Sequence, residues 1–209
     1  IADTFTRNLT SVSKYIDKSF ITSAPRQSPK DFIAEMINII IDNDIDVLIP
    51  TCEETFHISL HKACFEEHCI VFTSDILLMQ ELHDKWKFNQ QLQKLSLHFP
   101  KSTFAKTPKE LTSAIKKTSP FVAKPVYSRF ADKVIINDEK QLGSIIVNAK
   151  QPWVVQEYIE GSHFCSFSIA YKGKLSAHAV YPVGYRVQNG AAIYFEAINV
   201  PEIEHIVTT

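Results

Sequence analysis

Two lysines stand where an ammonium has reason to meet an anion. Lys124 lies in Phe121-Val122-Ala123-Lys124-Pro125, an apolar strand pattern in which a charge is out of place, and Lys85 follows an aspartate in Asp84-Lys85-Trp86. At an effective dielectric of about 20, an ammonium roughly 4 Å from a phosphate charge gains about 4 kcal/mol, which offsets part of its desolvation only while the anion is present. The alternative for Lys124 is a strand-end lysine that reaches back to solvent. A third piece, Gln156-Glu157-Tyr158-Ile159-Glu160-Gly161, is an extended segment whose backbone could offer a heterocyclic base one acceptor and one donor. Taken alone it is equally a strand followed by a turn.

Two further constellations carry chemistry in principle. His57, His61, Cys64 and His68 are spaced 4, 3 and 4 and share one face of a helical pattern, with Cys69 beside them. Positions 57 and 68 of one straight helix are about 16 Å apart along its axis, so a single helix cannot wrap all four around one zinc ion. A partly exposed face with a buried cysteine is the simpler reading. Arg186 follows a β pattern and has the forked guanidinium that suits a carboxylate or phosphate, at a catalytic position or as a surface arginine in a loop.

The elements that would position these residues can be read from periodicity. In residues 29–43, Phe32, Met36, Ile37, Ile40 and Ile41 recur at helical spacing, and residues 46–49 before Pro50 predict a short buried parallel strand. Residues 53–68 read as one helix, 70–72 as a strand, and 75–83 as a helix with Ser74 as its N-cap. A helix over 84–95, a strand over 102–105 and a Pro-initiated helix over 108–117 follow. Then come strands over 121–125 and 133–136, a helix over 139–148, and β-rich segments over 153–159, 163–171, 174–181 and 193–198, with Lys172-Gly173 turning a hairpin. This alternation means α/β, passing into α+β toward the end.

Composition narrows the function classes. Lysine and arginine number 22 against 23 aspartates and glutamates, so no charge excess points to nucleic acid or an acidic membrane surface. The apolar runs fall short of the roughly 20 residues that span a bilayer, and no signal peptide opens the chain. Four cysteines without a secretory signal suit a reduced, cytoplasmic setting. Five glycines against ten prolines argue against a multi-glycine phosphate loop, and no Gly-x-Gly-x-x-Gly follows any strand, which disfavours a Rossmann oxidoreductase. The chain opens at Ile1 without a methionine and ends in a polar phrase, so a fragment is expected.

The order and spacing of Asp84-Lys85, Phe99-Pro100, Pro120 to Pro125 with Ser128-Arg129, and Trp153 to Gly161 resembles the ATP-grasp superfamily, most of all its carbamoyl-phosphate synthetase and biotin carboxylase branch. The resemblance runs from about residue 45 onward, taking in Val47-Leu48-Ile49-Pro50 with Glu53-Glu54. It implies an ATP-grasp fold: a partial, Rossmann-like pre-ATP-grasp domain over 1–80, a small lobe over 81–150, and the start of a β-rich large lobe over 151–209 that lacks its C-terminal part. ATP would lie between the lobes, with Lys85 and Lys124 on its phosphates and the backbone of Gln156, Glu157, Tyr158 and Ile159 at the adenine. Residues 127–132 would form a mobile loop over the triphosphate, with Ser128 and Arg129 as polar contacts.

This sequence departs from the family pattern in three places. No glycine occurs from 124 to 140, which restricts backbone approach to phosphate. His163 stands near the place of an acidic ribose-binding residue, where it could hydrogen-bond the ribose or be a surface strand residue. No Glu with a Glu-x-Asn-like pair follows Ile193, so the Mg2+ ligands are expected beyond residue 209, with Glu196 and Glu202 only late carboxylates.

The resemblance implies an ATP-dependent ligase that activates a carboxylate as an acylphosphate for an amine or similar nucleophile. Its partners would be small-molecule carboxylates and amines, and it allows a homodimer. The rival reading, motivated by the altered loop and His163, is a nucleotide-binding regulatory or assembly module without turnover.

Overall fold

The computed structural model describes residues 1–8, 10–129, 133–185 and 193–208. Their contacts divide the chain into two units, Ile1–Glu81 and Leu82–Thr209.

In the first unit β1 (Ala2–Asp3) pairs in parallel with β2 (Phe20–Ile21). Helix α1 (Pro29–Asp42) starts with proline at its first turn, where the missing N–H costs nothing, and buries Phe32, Met36 and Ile40 at four-residue intervals. It is followed by β3 (Val47–Leu48), the helices α2 (Glu54–Leu60) and α3 (Lys62–Glu66), and β4 (Ile70–Val71), which pairs in parallel with β3. Ile58, Phe65, Leu48 and Val71 close the core against α1.

Two expectations are corrected here. The helix read over 53–68 is two helices, because His61 leaves the helical region (φ −111°, ψ 22°) and its N–H tightens onto the carbonyls of His57 and Ile58. Ser59 Oγ, donating to the Ser74 carbonyl at 2.6 Å, fixes the end of α2 at this break. The strand read over 46–49 is parallel but covered on one face: Leu48 is buried while Val47 and Ile49 are exposed.

Helix α4 (Ile76–His83) spans the division at residue 81 and has no side-chain cap from Ser74, whose carbonyl accepts Ser59 Oγ. In the second unit, α5 (Lys85–Lys94) leads to β5 (Ser102–Ala105), α6 (Pro108–Lys117), β6 (Phe121–Pro125), β7 (Ile135–Ile136) and β8 (Trp153–Glu157). The four strands form an antiparallel sheet in the order β5-β8-β6-β7. Leu111, Ala114 and Ile115 of α6 pack with Ala105, Phe121, Ala123, Trp153 and Val155. Odd-numbered positions of β6 and β8 therefore face this core, and even-numbered ones face the opposite side.

The hairpin of β9 (Phe164–Tyr171) and β10 (Lys174–Pro182) follows. Lys172 (φ 49°) and Gly173 (φ 75°) supply the positive φ pair that a two-residue turn needs. The helix read over 139–148 is a short 3₁₀ turn, Glu139–Ser144, after which Ile145 is extended (φ −97°, ψ 150°) and Val147 enters the core. The strand read over 193–198 contributes one bridge, Ile198 to Val180, since Tyr194 and Phe195 contact Tyr185 and Tyr181 through their rings. A helix absent from the sequence reading, α7 (Pro201–Thr208), ends the chain; Pro201 at its start with Glu202 and Glu204 in its first turn was the available signal.

All four cysteines are free thiols. Among the described residues no helix is long and apolar enough to cross a membrane. Phe121→Ala, which empties a position buried to 4% exposure, should cost about 3–5 kcal/mol in urea unfolding monitored by circular dichroism.

Candidate functional site

The side of the sheet away from α6 carries the polar groups. Register places Ser102, Gln156 and Val122 in one cross-strand row and Phe104, Val154 and Lys124 in the next, so Lys124 and Gln156 share a face. Helix α5 covers part of this face: Trp86 lies against Phe104 with ring centroids 5.6 Å apart, and Asn89 Nδ2 donates to Ser102 Oγ at 3.0 Å. Lys85 thus reaches the site from the first turn of α5 and Lys124 from the strand.

The start of α5 is held by Asp84. Its Oδ1 accepts the N–H groups of Trp86 and Lys87, both at 2.9 Å, a side-chain cap at a residue expected to lie inside the helix. Its Oδ2 accepts the Tyr127 hydroxyl at 2.8 Å. The Lys85 ammonium donates to the carbonyls of Ser128 at 2.7 Å and Val126 at 3.2 Å. Ser128 therefore meets Lys85 through its backbone, and its Oγ sits 3.4 Å from the Pro125 carbonyl.

The Lys124 charge is felt at Lys85. Lys85 is pushed down to about 8, first by burial and then by the Lys124 ammonium, against the opposing pull of Asp84. Burial also holds Lys124 below the ordinary amine value. Tyr127 is raised by its bond to Asp84, by burial and by the Asp84 charge. Among the described residues no carboxylate is ion-paired with Lys124.

The 156–159 segment is partly committed to the protein. Glu157 N–H donates to the Lys101 carbonyl at 3.0 Å, Tyr158 N–H to the Pro120 carbonyl at 3.0 Å, and Glu157 Oε1 accepts Lys101 N–H at 2.8 Å. Ile159 is exposed. Sequence reasoning missed the side chain of Gln156: it is 7% exposed, and its Oε1 is buried without a hydrogen-bond donor. Strand alternation placing Gln156 on the face of Lys124 was the signal that could have found it.

Arg129 and His163 are exposed. Arg186 lies outside the described residues, as do residues 130–132 of the proposed loop. Glu196 is exposed and accepts the Tyr194 hydroxyl at 3.1 Å, while Glu202 is exposed on α7. The break at His61 splits the His57, His61, Cys64 and His68 stripe over two helices, and among the described residues no three His, Cys, Asp or Glu side chains come together as a metal site.

Residues 82–170 match the family model of the RimK-like ATP-grasp domain. No curated protein matches the chain in sequence. Solved structures similar to it include the L-amino acid ligase from Bacillus licheniformis, at 17% identity and TM-score 0.63 over 91% of this chain and 50% of that one. The biotin carboxylase domain dimer of 2-oxoglutarate carboxylase from Hydrogenobacter thermophilus, in complex with magnesium ADP and bicarbonate, matches at 11% identity and TM-score 0.62 over 83% and 42%. Phosphoribosylamine–glycine ligase from Thermotoga maritima matches at 20% identity and TM-score 0.56 over 82% and 48%. The chain spans half or less of the length of each of these three structures, and identities this low speak to fold.

The lowered amine has a consequence for stability. Between about pH 8 and the ordinary value of 10.5, the unfolded chain binds more protons at Lys85 than the folded one, so this group's contribution to stability rises with pH across that window. Lys85→Gln should remove that rise, read as the difference in urea midpoint between variant and wild type from pH 7 to pH 9.5.

Proposed function

We propose, for a chain that has the ATP-grasp fold with a RimK-like ATP-grasp domain over residues 82–170, that it binds ATP on the sheet face carrying Lys85, Lys124 and Gln156. The observation that carries this reading is a pair of partly buried ammoniums, Lys124 on this face without a carboxylate partner and Lys85 at the start of the helix that covers it, whose demand for negative charge a polyphosphate meets. The unpartnered Gln156 Oε1 fits the same ligand, because the exocyclic amine of adenine is a donor that it lacks. Ile159, which is exposed, Ser128 and Arg129 of the loop, and His163 beyond the hinge complete the proposed contacts.

On this reading the first unit is a pre-ATP-grasp domain, and residues 151–209 open the larger lobe. The finer proposal is an ATP-dependent carboxylate–amine ligase. A carboxylate oxygen attacks the γ-phosphorus and ADP leaves; the amine then attacks the acyl carbon and phosphate leaves. The three solved structures include an L-amino acid ligase and a phosphoribosylamine–glycine ligase, which supports the class while leaving the substrates to experiment. Lys85 and Lys124 would stabilise charge on the transferred phosphoryl group and on ADP as it departs. Arg186 remains a proposed contact for the acceptor carboxylate or the transferred phosphoryl. Magnesium is expected with ATP, but the described carboxylates do not assemble a site for it.

The second reading is a nucleotide-binding module without turnover, favoured by the lack of glycine from 124 to 140. In the full-length protein, magnesium ATP should raise the melting temperature by several degrees and Lys124→Ala should abolish the shift; a mutant that keeps the full shift removes Lys124 from the site. ADP release stimulated by a pooled set of amino acids and small carboxylic acids would separate a ligase from a module.

A further inference from the structure

A loop can meet a phosphate through its own N–H groups only where its backbone comes close, which glycine eases. The segment after β6 has no glycine, and side chains instead tie it to the start of α5. Tyr127 lies between the two residues whose carbonyls, Val126 and Ser128, accept from the Lys85 ammonium at 3.2 and 2.7 Å. Its hydroxyl donates to Oδ2 of Asp84, the 6% exposed carboxylate whose other oxygen caps α5. Its ring stacks on His83 with centroids 5.8 Å apart and planes at 29°. The Lys85 backbone N–H also donates to the Val126 carbonyl, at 3.3 Å.

These contacts form a closed ring: Asp84 holds Tyr127, the residues flanking Tyr127 hold Lys85, and Lys85 is bonded to Asp84 through the chain. An ammonium has three N–H donors, and the two carbonyls take two of them. The third remains for an outside acceptor, in a direction fixed by the other two. We propose that Tyr127 is a positioning residue for polyphosphate: its hydroxyl bond to Asp84 keeps the Val126 and Ser128 carbonyls on Lys85, so that the loop reaches a phosphate through the lysine ammonium in place of its own backbone N–H groups. This rests on the nucleotide reading above and adds to it the route by which a loop without glycine takes part.

The test compares two ligands. Tyr127→Phe keeps the ring on His83 and removes only the hydroxyl. By titration calorimetry on the full-length protein, the variant should bind magnesium ATP about tenfold more weakly, the scale of one lost hydrogen bond to a charged group, and bind adenosine as the wild type does. A merely structural role for Tyr127 would weaken both ligands alike, and that result overturns the inference, as does unchanged ATP affinity. If Tyr127→Phe fails to fold, Asp84→Asn, which keeps a capping side chain, reads the same ratio: a selective loss of ATP over adenosine supports the ring and an unchanged ratio rejects it. Wild-type protein that binds neither ligand would instead sink the nucleotide reading itself.

Discussion

Two ammonium groups that repel one another are held on the same side of one sheet, and the rest of the site is arranged around that constraint. Lys124 cannot withdraw far, because it is built into β6 between residues that pack the core. Lys85 is kept in place by carbonyls, which accept its hydrogen bonds without supplying a full negative charge. Asp84 is the nearest compensation, and its two oxygens are engaged with the backbone of α5 and with Tyr127. The lysines therefore keep much of their demand for an anion, which is the condition a binding site needs and a salt-bridged pair would lose.

The strand that makes this possible is β8, hydrogen-bonded on both edges and packed on both faces. Trp153 and Val155 bury their side chains under α6, and Val154 is fully buried on the other side, between Phe104 and Lys124 in the cross-strand row. The same strand carries Gln156 into the site and then runs out into the exposed 158–161 segment. Burying one face at roughly 25 cal/mol per Å² of apolar surface gives the sheet its rigidity, and that rigidity spaces the polar groups on the other.

What was legible in the sequence follows from which signals are local. The strands 102–105 and 121–125 and the helix 108–117 have the bounds that periodicity and Pro108 predict, because each is a short pattern with its own stop signal. Lys124 stood out because a charge in an apolar strand breaks the pattern, whereas Lys85 was marked only by the Asp84-Lys85-Trp86 motif. The failures came where long-range contacts overrode local preference. His61 breaks a helix that spacing alone would continue, and residues 145–147 straighten to put Val147 in the core. The side-chain roles of Tyr127 and Gln156 were hidden for a related reason: the first acts on a residue 43 positions away, and the second matters only once register has set it on the face of Lys124.

The two unmet demands of the site are different in kind, and together they select among ligands more sharply than either does alone. A simple anion would satisfy the lysines and leave Gln156 Oε1 buried without a donor. A free base or nucleoside would satisfy Gln156 and leave the ammoniums repelling each other. Lys124 is diagonal to Gln156 across adjacent strands, a separation of about 7–8 Å at the backbone, to which the long lysine side chain adds reach. A single ligand that meets both must carry a hydrogen-bond donor on a planar edge and, at the far end of a spacer of that order, more than one negative charge. A nucleoside polyphosphate has that shape, and under the proposed function the sheet register, set by apolar packing on its opposite face, would fix the distance between its two ends.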